Sequence, residues 1–296
     1  MHRPEALIQL DRSLGRIDWD PGNNQAVAEA AEILAAAGPV RLMNIAEAGM
    51  LWASEEQESR RAIADHATPW SFFQPGDRSD VVLDTPTHTK YLVGGTLSPN
   101  DGYLWHDNPY GYKIWVHAWR QHPTRQYADV EHNHRYALAA APVGEVPYWM
   151  RLWQCDEPSL RPAEVWIPSM SKWQQPDMDR AVRPGEAWYM SSLDIHSISQ
   201  IGRAATSIMV QGPRQRTKSY IFDPRKGVII GDFPDGHGPV ELIYASPSHG
   251  QEPYLDIDGT ASYKHGPENG QAAPRLSSVI KWIDASLVRA GIVAKH

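Results

Sequence analysis

The spacing of apolar residues predicts helices in the first part of the chain. Leu7, Leu10 and Leu14 recur three and four residues apart, as on one face of a short helix. An alanine-rich run across 25–37 has high helix propensity and is followed by a Gly-Pro pair at 38–39. We therefore expect two helices that end at recognisable breaks.

A further helix is expected across 53–66, where Ser54 and Gln57 have the spacing of a capping box. From about residue 80 the pattern changes to short runs of β-branched and aromatic residues, separated by turns rich in Gly, Pro, Asn and Asp. The predicted strands cover 81–83, 90–93, 111–119, 135–141, 149–154, 163–167, 187–190, 196–200, 207–211, 220–223 and 227–230. Short strands with turns at this rate indicate an all-β sandwich or barrel.

The last part of the chain differs again. Residues 231–275 are rich in Gly, Pro, Ser and His, and we expect an ordered segment that covers the barrel. An amphipathic helix is expected across 277–290. The predicted organisation is thus a helical extension (1–79), a β-barrel (80–230) and a covering segment with a C-terminal helix (231–296).

Composition narrows the classes of function. The 296 residues carry a net charge of -7 and no basic block, so nucleic acid is not expected as a partner. The chain has no opening apolar run and no apolar stretch of about 18 residues, so we expect no signal peptide, no membrane contact and a cytoplasmic location. Cys155, the single cysteine, excludes a disulfide within the chain and is expected to be a small buried side chain.

Aromatic residues with a polar group are unusually frequent, with 12 Trp and 12 Tyr against 4 Phe. They suit a wide, partly wet pocket, and they suit a strand-rich core equally well. No Gly-x-Ser-x-Gly turn and no glycine-rich phosphate loop is present, so the sequence does not predict serine nucleophile or nucleotide chemistry.

Three histidines have the spacing of metal ligands. His132 and His134 are two apart, so on one strand they project together while the residue between them turns away. Two tight turns, at 184–185 and 193–194, precede His196 at the start of a later strand. Such an arrangement can direct three imidazoles at one point, where neutral imidazole suits Fe(II), Zn, Cu, Ni or Co.

These two stretches resemble the signature motifs of the cupin superfamily, a His-x-His followed by Glu and a later Pro-x-Gly followed by His. Here the pair at 184–185 lacks the spacer, and 138–139 hold Leu and Ala where the Glu would fall. The resemblance implies three histidine ligands without a carboxylate. It also implies a mainly β fold, a single cupin-type jelly-roll β-barrel with N-terminal helices and a C-terminal helix.

The three-histidine set resembles the cysteine dioxygenase branch of the cupins, which are mononuclear iron thiol dioxygenases. The strand at 114–119 and the Phe-Asp-Pro-Arg-Lys-Gly hairpin at 222–227 are similar to segments of that family. The family's substrate-binding arginine would fall at Trp105 or His106, which are not arginine.

A second departure concerns the Ser-x-His-x-Tyr relay of that family. Ser207 is present, but Met209 and Gln211 stand in place of His and Tyr. The resemblance therefore implies an Fe(II) oxygenase for a small organic substrate that coordinates the metal, and the departures indicate a substrate other than free cysteine.

Three further residues are candidates for catalysis. Tyr136 has the same face parity as His134, although core filling explains it equally well. Arg151 shares a face with Trp153, and an inward arginine would need an anionic partner, which makes it a candidate substrate anchor. His117 lies on the strand at 114–119.

Two alternatives to an Fe(II) oxygenase stay open on the sequence. One is a non-oxidative lyase, isomerase or hydrolase that uses Zn or Ni as a Lewis acid. The other is a cupin-fold binding protein with a degenerate site. The expected partners are a small-molecule substrate and O2, with a homodimer left open.

Overall fold

The computed structural model describes most of the first 223 residues and short stretches beyond them. The described ranges are residues 2–23, 25–66, 81–84, 88–95, 111–119, 131–144, 147–157, 159–160, 165–199, 205–216, 219–223, 227–231, 240–242, 253–255 and 261–263. The predicted helix at 277–290 and most of the covering segment at 231–275 lie outside the described residues.

The described part of the chain contains helices α1 (Glu5–Leu14), α2 (Ala26–Ala37), α3 (Pro39–His66) and α4 (Met170–Gln174). The first prediction is confirmed, because Leu7, Leu10 and Leu14 are the buried residues of α1. Helix α2 is followed by Gly38, whose φ of 75° is one that glycine adopts without steric cost.

The helix expected across 53–66 is longer than predicted, because α3 begins at Pro39, whose fixed φ suits a first helical turn. Ser54 therefore lies inside the helix, where its Oγ donates to the carbonyl of the preceding turn at 2.9 Å and caps nothing. The Oε1 of Gln57 accepts from the backbone N–H of Val81 at 2.8 Å. This contact joins α3 to the segment where the β region starts.

The described strands are β1 (Val82–Asp84), β2 (His88–Gly95), β3 (Lys113–Trp119), β4 (Glu131–His132), β5 (Tyr136–Val143), β6 (Tyr148–Trp153), β7 (Met178–Val182), β8 (Trp188–Met190), β9 (Ile195–Ser199), β10 (Thr206–Arg214), β11 (Ile221–Asp223), β12 (Gly227–Gly231), β13 (Val240–Leu242), β14 (Pro253–Leu255) and β15 (Ala261–Tyr263). They form two large antiparallel sheets, as the sequence predicted for a mainly β chain. The six-stranded sheet has the order β1-β2-β3-β10-β5-β8, the seven-stranded sheet has the order β13-β12-β11-β4-β9-β6-β7, and β14 pairs with β15.

The strand predicted at 163–167 is wrong for the described residues 165–167, which are irregular. Val165 and Trp166 are buried in a small apolar cluster that includes Trp153 and Phe222. The apolar character of this segment reflects its packing on the cluster, which an irregular chain achieves as well as a strand does.

Helices cover one face of the six-stranded sheet, which we call the outer face. Ile114, Val116, Ile208 and Val210 share this face by alternation along paired strands, and their side chains have no solvent exposure. Gly49 of α3 lies against it, since a Cβ there would come within 3.8 Å of a Val116 methyl. The outer face is therefore a close-packed apolar layer.

The opposite face, the inner face, packs against the seven-stranded sheet. Trp188 of β8 donates from Nε1 to the hydroxyl of Tyr148 in β6 at 2.6 Å, and both side chains are buried. In register, Trp188 pairs with Ala140, which pairs with Met209, so these residues belong to the inner face. The space between the two sheets holds the candidate site.

Within the described ranges, none of the helices has both the length and the continuous apolarity of a membrane-spanning segment. The predicted boundary at residues 79 and 80 falls outside the described residues, and the division into three regions stays a prediction.

Candidate metal centre

The three predicted histidines meet between the sheets. One ligand atom from each of His132, His134 and His196 lies within 4.8 Å of those from the other two. The ring centroids of His132 and His196 are 4.3 Å apart, and His134 lies 5.0 and 5.1 Å from them. His132 and His196 are only 4% and 3% exposed, so these two imidazoles belong to the interior.

Two of the histidines come from neighbouring strands of one sheet. His132 ends β4 and is the direct register partner of His196 in β9. Residues opposite each other in an antiparallel pair project to the same face, which brings the two rings together. Leu152 of β6 pairs with His196 on the other side and continues this row with an apolar side chain.

His134 reaches the cluster in a way that the sequence did not predict. The expected single strand for the His-x-His is wrong, because β4 ends at His132 and β5 begins at Tyr136 in the other sheet. Asn133 holds this crossover: its Oδ1 accepts from the Tyr220 N–H at 2.7 Å, and its own N–H donates to the Tyr220 carbonyl at 3.0 Å. The crossover, and not strand alternation, brings His134 beside His132.

The turn predicted at 184–185 is present before β8. Gly185 has a φ of 85°, and its N–H donates to the carbonyl of Pro142 at 3.1 Å. A Cβ at this position would lie 2.8 Å from the side chain of Pro39, where α3 begins. Glycine is therefore required here both by its backbone conformation and by close packing against the helix.

The second turn, which precedes His196, is built around the buried carboxylate of Asp194. Its Oδ2 accepts from the Ser191 N–H at 2.7 Å, and its Oδ1 accepts from the Cys155 N–H at 2.8 Å. Burial raises the pKa of Asp194, an effect that these backbone donors partly offset. The turn is thereby tied to the end of β6, which fixes the start of β9 and the position of His196.

The cluster is electrostatically suited to a metal ion. Burial, followed by the neighbouring His132, holds the pKa values of His134 and His196 well below 6.5, so both rings are neutral. Neutral imidazole is the form that binds a metal. The Nδ1 of His196 is buried and has no hydrogen bond among the described residues, which a bound cation would explain.

Two of the three catalytic candidates face the space that holds the cluster. The ring of Tyr136 stacks on that of His134 with centroids 5.1 Å apart and planes 13° apart. His117 is 6% exposed on the inner face of β3, where burial and then the charge of Lys90 hold its pKa well below 6.5. Their catalytic roles stay predictions.

The third candidate, Arg151, does not face the cluster. It pairs in register with Ser197, whereas the adjacent Leu152 pairs with His196. Successive strand residues point to opposite faces, so Arg151 lies on the far side of the sheet from His196. Its side chain is 51% exposed and forms an ion pair with Asp179 at 3.3 Å. The expectation of an inward arginine is therefore wrong.

Two neighbours of the cluster were missed by the sequence reasoning. The ring of Trp188 lies 5.8 Å from that of His196 and closes one side of the site. Lys90 projects from the inner face of β2, as the register partner of His117. The alternation of side chains along β2 assigns Lys90 to one face of the strand. The sequence alone could not tell that this face is the inner one.

Two further residues named from the sequence, Ser207 and Cys155, lie in the described part of the chain. Ser207 accepts from the Nε1 of Trp119 at 3.2 Å on the inner face. The thiol of Cys155 has a pKa raised to about 12, chiefly by burial, which disfavours the thiolate and any nucleophilic role. Trp105 and His106 lie outside the described residues.

No protein-family model matches the chain, and no curated protein matches it. Among solved structures, a hypothetical protein from Leishmania major is 10% identical, with a TM-score of 0.26 and coverage of 45% of this chain and 76% of that one. A structure from a study of DMSP lyases is 12% identical, with a TM-score of 0.29 and coverage of 60% and 97%. The hydroxypropylphosphonic acid epoxidase from S. wedmorenis is 10% identical, with a TM-score of 0.26 and coverage of 70% and 88%. TM-scores this low do not establish a shared fold, so neither fold nor function is inferred from these structures.

Proposed function

We propose that the protein is a cupin-type metalloenzyme that binds one Fe(II) ion through His132, His134 and His196 and uses O2 to oxidise a small organic substrate. The observation that carries this proposal is the convergence of three imidazoles between two antiparallel sheets, with ligand atoms within 4.8 Å of one another. They come from a strand, a crossover and a later strand, so the cluster depends on the fold as a whole.

The strand order supports the cupin part of the proposal. Strands β3 to β10 divide between the sheets as β3-β10-β5-β8 and β4-β9-β6-β7. Each sheet takes strands from both halves of the chain, and such interleaving supports the proposal of a double-sheet jelly roll. The sequence resemblance to cupin motifs falls on the same strands.

The donor set supports a transition metal. Imidazole nitrogen binds Fe(II), Zn, Cu and Ni, whereas Mg and Ca prefer oxygen ligands. The cluster found in the described part of the chain contains no carboxylate. The resemblance of the sequence to the three-histidine branch of the cupins favours Fe(II) among these metals. Bound here, it would supply redox chemistry toward O2 and Lewis acidity toward a substrate heteroatom.

The surrounding residues suit a water-poor reaction site. Leu152 and Trp188 bring apolar surface to His196, and both are buried. Low water content strengthens every electrostatic contact inside the site and limits side reactions. Tyr136, stacked on His134, offers a hydroxyl that can hold or transfer a proton close to a bound substrate.

The metal part is tested by elemental analysis of protein purified without chelator. We expect about one equivalent of a transition metal per chain. His132→Ala should lose it, and His2→Ala, which removes an exposed histidine outside the cluster, should retain it. Wild-type protein without bound metal, or a His132→Ala variant with full metal content, would overturn the proposal.

The oxygenase part is tested separately with an oxygen electrode. Fe(II)-loaded protein is screened with small molecules that carry a metal-coordinating group, and O2 uptake is compared with substrate loss. Uptake that matches substrate loss supports an oxygenase. Turnover without uptake would indicate a lyase, isomerase or hydrolase, and would leave the metal site intact while removing the oxidative chemistry.

A further inference from the structure

The wall that faces the histidine cluster can be traced residue by residue. The ring of Trp188 lies 5.8 Å from His196, which identifies its row as facing the site. In register, this row runs through Ala140 and Met209 to Trp115 in β3. Residues two positions further along each strand project to the same face.

The next row of the same wall contains a cation. Ser207, two residues from Met209, pairs with His117, and His117 pairs with Lys90 of β2. Lys90 and His117 therefore project from neighbouring strands toward the space that holds the cluster. His117 is 6% exposed, so this row belongs to the interior.

The charge of Lys90 acts on its register partner His117. The same lysine is the charged group that lowers the pKa of His117 after burial. The positive charge thus belongs to the wall that faces the histidine cluster.

The charged residues at the inward positions of this wall are cationic. On the described strands of the six-stranded sheet, they include Lys90 and Lys113 and no Asp or Glu. Three neutral imidazoles do not offset the charge of a divalent cation. A site with a metal ion and a lysine ammonium therefore attracts anions, and an ammonium offers three donors to an oxyanion.

We propose that Lys90 binds an oxyanion group of the substrate, such as a carboxylate, while another heteroatom of the same molecule reaches the metal held by the three histidines. This inference rests on the proposed metal site and names the substrate class as small organic anions. It also gives a binding role to a residue that neither the motifs nor the resemblance singled out.

The test uses ligand binding and not turnover. Co(II)-loaded protein is titrated with β-hydroxypropionate and with β-hydroxypropionamide, which differ in charge but hardly in shape, and the visible absorption of Co(II) reports binding. Wild-type protein should bind the carboxylate at least about tenfold more tightly, because charge-assisted hydrogen bonds are roughly twice as strong as neutral ones. Lys90→Met should lower carboxylate affinity by about 10- to 100-fold and leave amide affinity unchanged.

Three controls make the outcome decisive. Lys90→Arg should retain most of the carboxylate preference, because it keeps the cation. Arg12→Met, which removes a surface cation whose side chain is 72% exposed, should behave like the wild type. Lys90→Gln repeats the test if Lys90→Met does not fold.

Metal content is measured on every variant, so that the two proposals fail in different ways. Wild-type protein that binds no metal overturns both the proposed function and this inference. Protein that binds metal but shows no carboxylate preference, or a preference that survives in the Lys90 variants, overturns this inference alone.

Discussion

The two faces of the six-stranded sheet come from the same strands but differ in their chemistry. The outer face presents Ile114, Val116 and Ile208, which are fully buried against helices. The inner face presents Lys90 and His117 from neighbouring strands, together with large aromatic residues. Alternation along each strand thus separates a layer that stabilises the fold from a layer that forms the site.

This separation predicts different consequences for substitutions on each face. Outer-face changes should lower the free energy of unfolding while the folded molecules keep their site. Changes on the inner face, or in the histidine cluster that it faces, should alter ligand or metal binding while the fold remains intact.

Ile208→Ala should cause the largest loss of stability, because it leaves a cavity in the close-packed outer layer. We expect the free energy of unfolding to fall by about 2–5 kcal/mol. Denaturant unfolding of the metal-free protein measures this, with Val40→Ala as control, since Val40 is 68% exposed. Folded Ile208→Ala protein should bind metal as the wild type does, and a weakened metal affinity would show that the two faces are not separable.

His196→Gln should leave the fold and remove the metal. The loss in metal affinity should exceed the roughly 10- to 100-fold typical of residues that only support a ligand. The free energy of unfolding of the metal-free protein should change by about 1 kcal/mol or less, because the side chain keeps similar volume. Equilibrium dialysis with Co(II) measures the affinity, and a large destabilisation with unchanged affinity would contradict the assignment.

The histidine cluster could be predicted because its signals are local. A His-x-His and a histidine after a tight turn are visible in a single sequence, and the structure brings all three together. The path of the chain between His132 and His134 could not be predicted. It depends on the sheet that each flanking strand joins, which is decided by contacts such as that between Asn133 and Tyr220.

Arg151 shows the limit of alternation as evidence. The pattern correctly indicates that Arg151 and Trp153 lie on one face, but it does not say which face is inner. Trp153 is buried because Val165 and Phe222 cover it on the far side from His196. The burial of Trp153 therefore does not show that Arg151 points toward the site. Only the register of β6 with His196 decides the orientation of Arg151.

Stability of the metal-free protein should fall as pH falls below about 6.5, and His117 should contribute to this. Burial holds the folded-state pKa of His117 well below 6.5, whereas the unfolded chain titrates near that value. The unfolded state then binds more protons, which lowers the free energy of unfolding by about 1.4 kcal/mol per pH unit for each such histidine.

His117→Gln should reduce that slope, as measured by denaturant unfolding between about pH 7 and pH 5. Ile208→Ala serves as the comparison, because an outer-face change should lower stability equally at every pH. An unchanged slope in His117→Gln would mean that His117 does not remain neutral inside the folded protein.

Arg151→Ala should have the smallest effect of these substitutions. It tests whether the sheet face that bears Arg151 takes part in anion binding. Its ion pair with Asp179 is half exposed, and pairs of that kind contribute only about 0–1 kcal/mol. Since Arg151 lies across the sheet from His196, binding of β-hydroxypropionate to the Co(II)-loaded variant should match the wild type, whereas Lys90→Met weakens it. If Arg151→Ala weakened carboxylate binding as Lys90→Met does, the anion would have to be held from the seven-stranded sheet, and the inner face would not be the binding wall.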